Sequence, residues 1–216
     1  MNYSLSLCRE TLELHPLGAA FWKERNLLII SDLHFGKITH FRKHGAAVPH
    51  RAIMQNIERL DTVVTLFKPH CICFLGDLFH SHLNPEWDLF EEWVQSRGEQ
   101  FTLIRGNHDI IAPEKFNDLG IKCLERLEIG PFTLTHEPEN VADRFNIAGH
   151  IHPAIALTGR GKQHLRLPCF YQKQDQLILP AFGAFTGTFT LTPEPGDRAY
   201  VLAEDQVISL SDVDNS

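Results

Sequence analysis

Residues 106–109, with the sequence Gly-Asn-His-Asp, combine three side chains of different chemistry directly after an apolar run. Asn107 offers an amide oxygen, His108 an imidazole that titrates near neutral pH, and Asp109 a carboxylate that could orient the imidazole. Gly106 permits a sharp turn that would lift these groups off the end of a strand. Because Asn, His and Asp are also ordinary turn residues, this run alone indicates only a turn.

Other potential metal ligands also follow apolar runs elsewhere in the chain. They are Asp32 and His34 after residues 27–30, Asp77 after residues 71–75, His136 after residues 132–134, and His150 and His152 after residues 145–148. In layered α/β folds, sites form at strand ends, so segments far apart in sequence can converge there. Taken singly, each residue is explained by capping and turn chemistry, but the joint pattern favours metal ligation.

The spacing within these segments has a physical interpretation. Asp32 and His34 are two residues apart, so on an extended chain they point the same way and can bind one ion. His150 and His152 repeat this spacing, although a turning backbone could aim them at neighbouring ions. Carboxylates, imidazoles and an amide oxygen together suit Mn, Fe or Zn rather than an oxygen-only magnesium site.

The number of candidate ligands favours two ions rather than one. With Asn107 there are seven candidates, and a bridging carboxylate would divide them between two ions. Two ions about 3.5–4 Å apart can clamp a phosphate and ionise a bridging water.

The elements that must position these residues alternate between strand and helix. Residues 27–30, 71–75 and 101–104 are short apolar runs, typical of strands covered on both faces. Between them, apolar residues at helical spacing predict helices over residues 52–67 and 85–94. This β-α-β-α-β order predicts an α/β layered fold.

Antiparallel β structure is predicted on both sides of this region. Residues 3–30 suit a meander, and residues 121–127 and 132–134 are predicted to pair with each other. Further strands are predicted over residues 145–148, 165–171, 177–179, 199–202 and 207–210. A second, largely antiparallel sheet packed on the first would accommodate them. Because no repeat or long linker interrupts the chain, we expect a single domain over residues 1–216.

Composition narrows the class of protein. Hydrophobic residues make up 43% of the chain and charged residues 22%, as in ordinary globular proteins. The formal charge of −7 argues against a broadly basic nucleic-acid coat but allows a local basic groove. No apolar run approaches the roughly 18 residues of a membrane span, and residues 1–10 do not resemble a signal peptide.

The cysteines indicate a reducing environment. Five are scattered without a CxxC pair, and Cys71 and Cys73 would lie on one face of a strand as small buried hydrophobes. We therefore expect a cytoplasmic protein that does not associate with membranes.

The ordered motifs Asp-x-His, Gly-Asp, Gly-Asn-His-Asp, His and Gly-His-x-His, from Asp32 to His152, resemble those of the calcineurin-like metallophosphoesterase superfamily. Residues 31–37 (Ser-Asp-Leu-His-Phe-Gly-Lys), 76–81 (Gly-Asp-Leu-Phe-His-Ser) and 135–138 (Thr-His-Glu-Pro) are similar to the bacterial ligase-associated DNA-damage-response endonucleases. The resemblance implies an α/β fold: an αββα four-layer sandwich of two mixed β-sheets flanked by helices. The narrower similarity implies DNA as the substrate and DNA-repair ligase or helicase proteins as partners.

The same resemblance implies roles for individual residues around two divalent ions, Mn²⁺ or alternatively Fe or Zn. Asp32, His34, Asp77 and His152 would hold the first ion. Asp77, as the bridge, would join Asn107, His136 and His150 on the second. A hydroxide bridging the ions would attack phosphorus in line, with His108 as the substrate-facing acid and Asp109 as its support.

Two basic stretches could bind a nucleic acid. Residues 33–57 contain no acid and carry Lys37, Arg42, Lys43 and Arg51; residues 160–174 contain none and carry Arg160, Lys162, Arg166 and Lys173. With Phe170 and Tyr171 nearby, this pattern is typical of single-strand binding, although solvated loop charges would look the same. Arg42, Arg160 and Lys162 are the candidate substrate-binding residues.

The remaining histidines are assigned to loops and surfaces. His80 and His82 could contact substrate, but their position favours solvated loop residues. His40, His44 and His50 are expected to be surface residues.

Three functions compete at this point. The first is a metal-dependent DNA endonuclease in repair. The second is a phosphatase or phosphodiesterase for a small nucleotide or a lipid-linked phosphate, and the third is a scaffold without catalysis. The complete ligand set and His108 argue against the scaffold. Salt dependence would separate the first two, because contacts with several phosphates weaken steeply as salt is added.

Overall fold

The computed structural model describes residues 1–37, 51–80, 85–158 and 163–210. Within these residues, seven strands form the first sheet in chain order: β1 Tyr3–Leu7, β2 Glu10–Leu14, β3 Ala20–Trp22, β4 Leu27–Ile30, β5 Cys71–Leu75, β6 Gln100–Ile104 and β7 Ile121–Leu124. Strands β1 to β4 pair antiparallel, and β4 to β7 pair parallel. The predicted meander and central apolar strands are therefore confirmed.

Helices cover the outer face of this sheet. They are α1 Arg51–Phe67, α2 Pro85–Gln95 and α3 Pro113–Asp118, with a short 3-10 turn at Lys23–Arg25. The helices predicted over residues 52–67 and 85–94 are confirmed, whereas α3 was not anticipated. Leu60, Phe90 and Phe116 pack from the three helices into one apolar cluster with Ile30 and Phe74 of the sheet. Burying a side chain of this size contributes about 1.5–3 kcal/mol. Among the helices described, none has the length and apolar character needed to cross a membrane.

The second sheet is also mixed. Nine strands belong to it in the described residues: β8 Leu127–Ile129, β9 Phe132–Leu134, β10 Phe145–Ala148, β11 Pro153–Thr158, β12 His164–Gln172, β13 Gln176–Ile178, β14 Phe189–Thr190, β15 Arg198–Ala203 and β16 Gln206–Leu210. Strand β10 is parallel to β9 and β13, and β11 to β14. The other pairs are antiparallel, including the hairpin of β15 and β16, which contains the strands predicted over residues 199–202 and 207–210.

One predicted pairing is wrong. Residues 121–127 were expected to form a single strand beside residues 132–134. Instead β7 ends the first sheet next to β6, and only β8 pairs with β9. The chain thus crosses from one sheet to the other between Leu124 and Leu127. Alternating apolar residues predict a strand but do not specify its partner, which explains the error.

The inner faces of the two sheets pack on each other. Leu14, Ile29 and Leu75 of the first sheet belong to one buried cluster with Phe132 and Phe170 of the second. The same cluster includes Cys73, which is buried as expected, whereas Cys71 packs against the cluster and is only partly buried. All five cysteines are free. The two mixed sheets with flanking helices confirm the α/β fold class.

A loop, residues 137–144, is hydrogen-bonded to strands β10 and β13 of the second sheet. Asn146, on β10, is fully buried and ties this loop down. Its Nδ2 donates to the carbonyl of Thr133 at 3.1 Å and to Oγ1 of Thr135 at 2.9 Å, and its Oδ1 accepts from the amide of Glu139 at 2.9 Å. The α-helices that the structure describes all pack against the first sheet.

Replacing Asn146 with alanine should lower the free energy of unfolding by about 1–3 kcal/mol, because it leaves buried partners without hydrogen bonds. Urea unfolding measures this change. Asn117→Ala, at an exposed position of α3, is the matched control and should lie within about 0.5 kcal/mol of wild type. Equal stability of the two variants would contradict the anchoring role of Asn146.

Candidate metal centre

The loops that follow the central strands of both sheets meet at one end of the sandwich. The amide of Asp32 donates to the carbonyl of Gly76 at 3.3 Å, and that of His34 to the carbonyl of Asp77 at 2.9 Å. In the second sheet, the amide of Gly149 donates to the carbonyl of His136 at 2.9 Å. These bonds hold segments distant in sequence side by side, as strand-end sites require.

Six of the predicted ligands form two groups, each able to hold a metal ion. One group contains Asp32, His34 and His152, and the other contains Asp77, His136 and His150. Within each group, the potential ligand atoms lie within 4.8 Å of one another. Each group takes residues from both sheets.

Short contacts connect the members of each group. In the first, Nε2 of His152 lies 3.1 Å from Oδ1 of Asp32 and 3.5 Å from Nε2 of His34. In the second, Nε2 of His136 lies 3.4 Å from Oδ1 of Asp77 and 3.1 Å from Nδ1 of His150. Polar atoms at these separations surround a space suited to a cation.

Asp77 and Asn107 complete the arrangement. Oδ1 of Asp77 faces His136, while its Oδ2 lies 3.8 Å from Nε2 of His34 in the other group. This position between the groups suits a carboxylate shared by two ions. The Oδ1 atom of Asn107 lies 3.0 Å from Nε2 of His136, so the structure places Asn107 with the second group.

The backbone is strained where these side chains are presented. Asp32, His34, Asp77, His150 and His152 all have positive φ angles, between 48° and 66°. Non-glycine residues adopt this left-handed region uncommonly, and such strain clusters at functional sites. The left-handed turns also alter the directions expected from an extended chain, since His150 and His152 belong to different groups.

Glycines let the loops approach closely. A Cβ on Gly149 would lie 1.7 Å from Oγ of Ser31 and 2.6 Å from Oδ2 of Asp32. A Cβ on Gly106 would lie 2.3 Å from Oδ1 of Asp77. A side chain at either position would overlap a neighbouring carboxylate, so only glycine fits at both.

Backbone carbonyls orient two of the imidazoles. Nδ1 of His136 lies 2.8 Å from the carbonyl oxygen of Leu75, and Nδ1 of His152 lies 3.1 Å from that of Gly187. A neutral imidazole that donates from Nδ1 keeps its lone pair on Nε2. In both residues Nε2 points at the candidate centre, an arrangement that metal-binding histidines commonly use.

Burial and neighbouring polar groups set the charge states of His34 and Asp32. It lowers the pKa of His34 to about 3, so this imidazole is neutral at pH 7 and can act as a ligand without losing a proton. Burial also raises the pKa of Asp32, but the charge of the neighbouring His152 and a hydrogen bond from Ser31 outweigh it, and the net shift is downward. Asp32 therefore stays ionised.

Asp109 differs from the prediction that it orients His108. Its Oδ1 accepts from the amides of Leu78 at 2.9 Å and Phe79 at 3.2 Å, and its Oδ2 accepts from the amide of Gly106 at 2.8 Å. It therefore fastens the loop after β6 to the loop after β5. Burial raises the pKa of Asp109 to about 6. Because its carboxylate accepts hydrogen bonds from backbone amides, Asp109 supports the site by holding the two loops together rather than by orienting the imidazole of His108.

His108 lies at the exposed rim. Its amide donates to Oδ1 of Asp77 at 3.0 Å, which places its ring 5.7 Å from that of His34, centroid to centroid. His80 was expected to be a solvated loop residue. It is instead half-buried, with its ring 5.7 Å from His34 and 5.5 Å from His108.

Residues 182–189 contribute to the site but carried no sequence signal. The amides of Phe182 and Gly183 donate to the carbonyls of Ser31 and Asp32 at 2.8 and 3.1 Å. Buried Asn56 of α1 extends this anchoring: its Nδ2 donates to the carbonyl of Leu33, and its Oδ1 accepts from the amide of Ala184. A spacing rule cannot find such contacts, because most involve backbone atoms.

In the part of the chain that the structure describes, neither the candidate substrate-binding residues nor the rings predicted to stack on bases lie at the centre. Arg42, Arg160 and Lys162 lie outside the described residues, as do His40, His44, His50 and His82. The suggestion that Phe170 and Tyr171 stack on bases is wrong. Phe170 is buried between the sheets, and Tyr171 is buried in an outer cluster with its hydroxyl bonded to Asp197.

The protein is thus a mixed α/β sandwich with two adjacent carboxylate–imidazole groups, each able to hold a metal ion. The Calcineurin-like phosphoesterase family model matches residues 25–183, more than half of the chain. The chain belongs to the calcineurin-like phosphoesterase family. Membership implies divalent metal ions and hydrolysis of phosphoester bonds.

Solved structures resemble the chain to different degrees. The nuclease MPE of Pseudomonas putida superposes with a TM-score of 0.81 at 29% identity, over 97% of this chain and 100% of its own. A phosphoesterase from E. coli, Yfce, has a TM-score of 0.42 at 15% identity, over 83% of this chain and 88% of its own. Among curated protein sequences, none matches the chain.

Gly149→Ala should disrupt the centre, because its Cβ would overlap Ser31 and Asp32. Manganese should raise the melting temperature of the wild type by mass action, and the variant should lose most of this rise. Thermal unfolding with and without Mn²⁺ measures it. Gly98→Ala, with no atom within 4 Å of the added Cβ, is the control. An undiminished manganese effect in Gly149→Ala would show that the close approach does not matter.

Proposed function

We propose that this protein is a metal-dependent phosphodiesterase that cleaves DNA. The observation that carries the proposal is the pair of carboxylate–imidazole groups with Asp77 between them. A phosphodiester requires simultaneous stabilisation of the attacking and leaving oxygens, which a two-ion site provides.

The residues fit two divalent ions on chemical grounds. Asp32, His34 and His152 would hold one ion and Asn107, His136 and His150 the other, with Asp77 shared. Oδ1 of Asp32 is buried and accepts no hydrogen bond from the described residues, as expected of an atom reserved for a cation. The nitrogen-rich set favours manganese over magnesium, with iron and zinc as alternatives.

When bound, the ions would supply Lewis-acid stabilisation of the phosphoryl oxygens and activation of water. The protein itself fixes the ligands: Leu75 and Gly187 orient imidazoles through their carbonyls, and Asp109 fastens the loop that carries Asn107. The exposed His108 at the rim can donate a proton to the leaving oxygen, an effect worth about 10²–10⁴-fold in rate.

Two findings support DNA rather than a small phosphate ester. The structure similar over 97% of the chain is described as a nuclease. In addition, Phe185 and Phe189 are 39% and 62% exposed in the segment that is hydrogen-bonded to Asp32 and His152. Exposed aromatic rings beside a phosphate site offer stacking surfaces for bases.

The proposed biological role is supported by the sequence similarity alone. The motifs at residues 31–37, 76–81 and 135–138 support a role in DNA repair. Cytoplasmic location and DNA-repair ligase or helicase partners stay predictions.

Two substitutions should separate metal binding from proton transfer. Asp77→Asn should lose bound manganese and activity together, since it removes the shared charge. His108→Ala should keep the manganese, because the amide that bonds Asp77 survives, and should lose turnover by about 10²–10⁴-fold. Metal analysis and hydrolysis of a nitrophenyl phosphodiester measure both effects. Native turnover by His108→Ala would remove His108 from the acid role.

The substrate is tested by a matrix of Mn²⁺, Fe²⁺, Zn²⁺ and Mg²⁺ against single- and double-stranded DNA, RNA, a phosphodiester and a phosphomonoester. We expect manganese-dependent DNA cleavage whose KM rises steeply with salt, because contacts with several phosphates release counterions. Salt-insensitive turnover of a mononucleotide without DNA cleavage would favour the small-molecule enzyme. A protein that takes up no manganese would favour the scaffold.

A further inference from the structure

Lys37 is positioned by a turn that begins at a candidate ligand. Its amide donates to the carbonyl of His34 at 3.2 Å. Gly36, the residue before it, has a φ of +90°, and its amide donates to Oε2 of Glu86 at 2.7 Å. Glu86 is 1% exposed on α2, so a buried anchor holds the backbone from which Lys37 extends.

The side chain of Lys37 is half-buried yet forms no ion pair with the residues described. Burial lowers its pKa, and Asp32 and Asp77 are close enough to oppose this effect. The charge of Lys37 in turn helps to lower the pKa of His34. The charge of Lys37 therefore acts on groups of the candidate centre, and its side chain is half-buried rather than fully exposed to solvent.

A cation at this place needs an anion that the protein does not supply. Two divalent ions would carry four positive charges against the two carboxylates of Asp32 and Asp77. The occupied centre is then positive, and it repels a further ammonium group unless an anion lies between them. Arg105 differs, because its guanidinium already contacts the carbonyl of Asp109 at 3.4 Å and Glu125 at 3.7 Å.

We propose that Lys37 binds a phosphoryl oxygen of the scissile phosphate. Its amide is hydrogen-bonded to the carbonyl of the candidate ligand His34, which favours the phosphate at the centre over a neighbouring phosphate along a strand. This inference rests on the proposed phosphodiesterase function and adds a substrate-binding residue to it. A lysine serves here as a point charge with rotatable donors, which suits a phosphate whose geometry changes during reaction.

The test compares Lys37→Ala and Lys37→Arg with Lys122→Ala, an exposed lysine of β7 remote in the sheet. The readouts are manganese content, kcat and KM for bis-p-nitrophenyl phosphate and for DNA, and the affinity of the manganese-loaded protein for inorganic phosphate. Lys37→Ala should keep its manganese. Its kcat/KM on both substrates and its phosphate affinity should each fall about 10- to 100-fold, as for a lost charge-assisted hydrogen bond.

Lys37→Arg should recover part of the kcat/KM and part of the phosphate affinity, and Lys122→Ala should match wild type in both. A kcat/KM within twofold of wild type in Lys37→Ala would overturn the proposal. Loss of manganese would assign Lys37 to loop structure, and a loss confined to DNA would assign it to a neighbouring phosphate. If wild type hydrolyses neither substrate, the proposed function fails, whereas phosphate affinity still decides whether Lys37 binds phosphate.

Discussion

The burial of two carboxylates at the junction of the sheets is the constraint on which the structure depends. Asp32 and Asp77 are 1% and 2% exposed. An ionised carboxylate removed from water needs hydrogen bonds and positive partners. The amides of His150 and His108 supply hydrogen bonds, and imidazoles from the opposite sheet surround both groups. Divalent ions would supply positive charge next to both carboxylates. The strand order, the loop contacts and the glycines all serve to bring these groups together.

This arrangement has a conformational cost. Left-handed residues cost of order 1–3 kcal/mol each, and five of them carry candidate ligands. They persist because both sides of the loops are held. On one side stand the apolar clusters between the sheets and under the helices. On the other stand hydrogen bonds from residues 182–189 and the carboxylate of Asp109. The centre is thus a strained region supported by a rigid frame, which suits a site that must hold ligands in position before ions or substrate arrive.

Much of this could be predicted from sequence, since polar motifs directly after apolar strands indicate where strand ends meet. The fold class and the convergence of Asp32, Asp77 and His150 followed from that pattern. Asp109 was misassigned because sequence proximity suggested His108 as its partner, whereas its carboxylate bonds the amides of another loop. The orienting carbonyls of Leu75 and Gly187 left no trace in the pattern, because every residue has a carbonyl. Phe170 and Tyr171 show a similar limit: composition places aromatic rings near basic residues, but only the structure shows that one is buried between the sheets and the other in an outer cluster.

Each metal group combines ligands from both sheets, and this has a consequence for the whole molecule. An ion in either group would be a cross-link between Asp32 or Asp77 on one layer and the histidines of the other. Ion affinity and the docking of the layers are then thermodynamically linked, because the ion binds only when the layers are together. A change in the apolar interior far from the centre can weaken ion binding without touching a ligand. The stability of the hydrophobic interface between the sheets therefore contributes to the affinity for the ions.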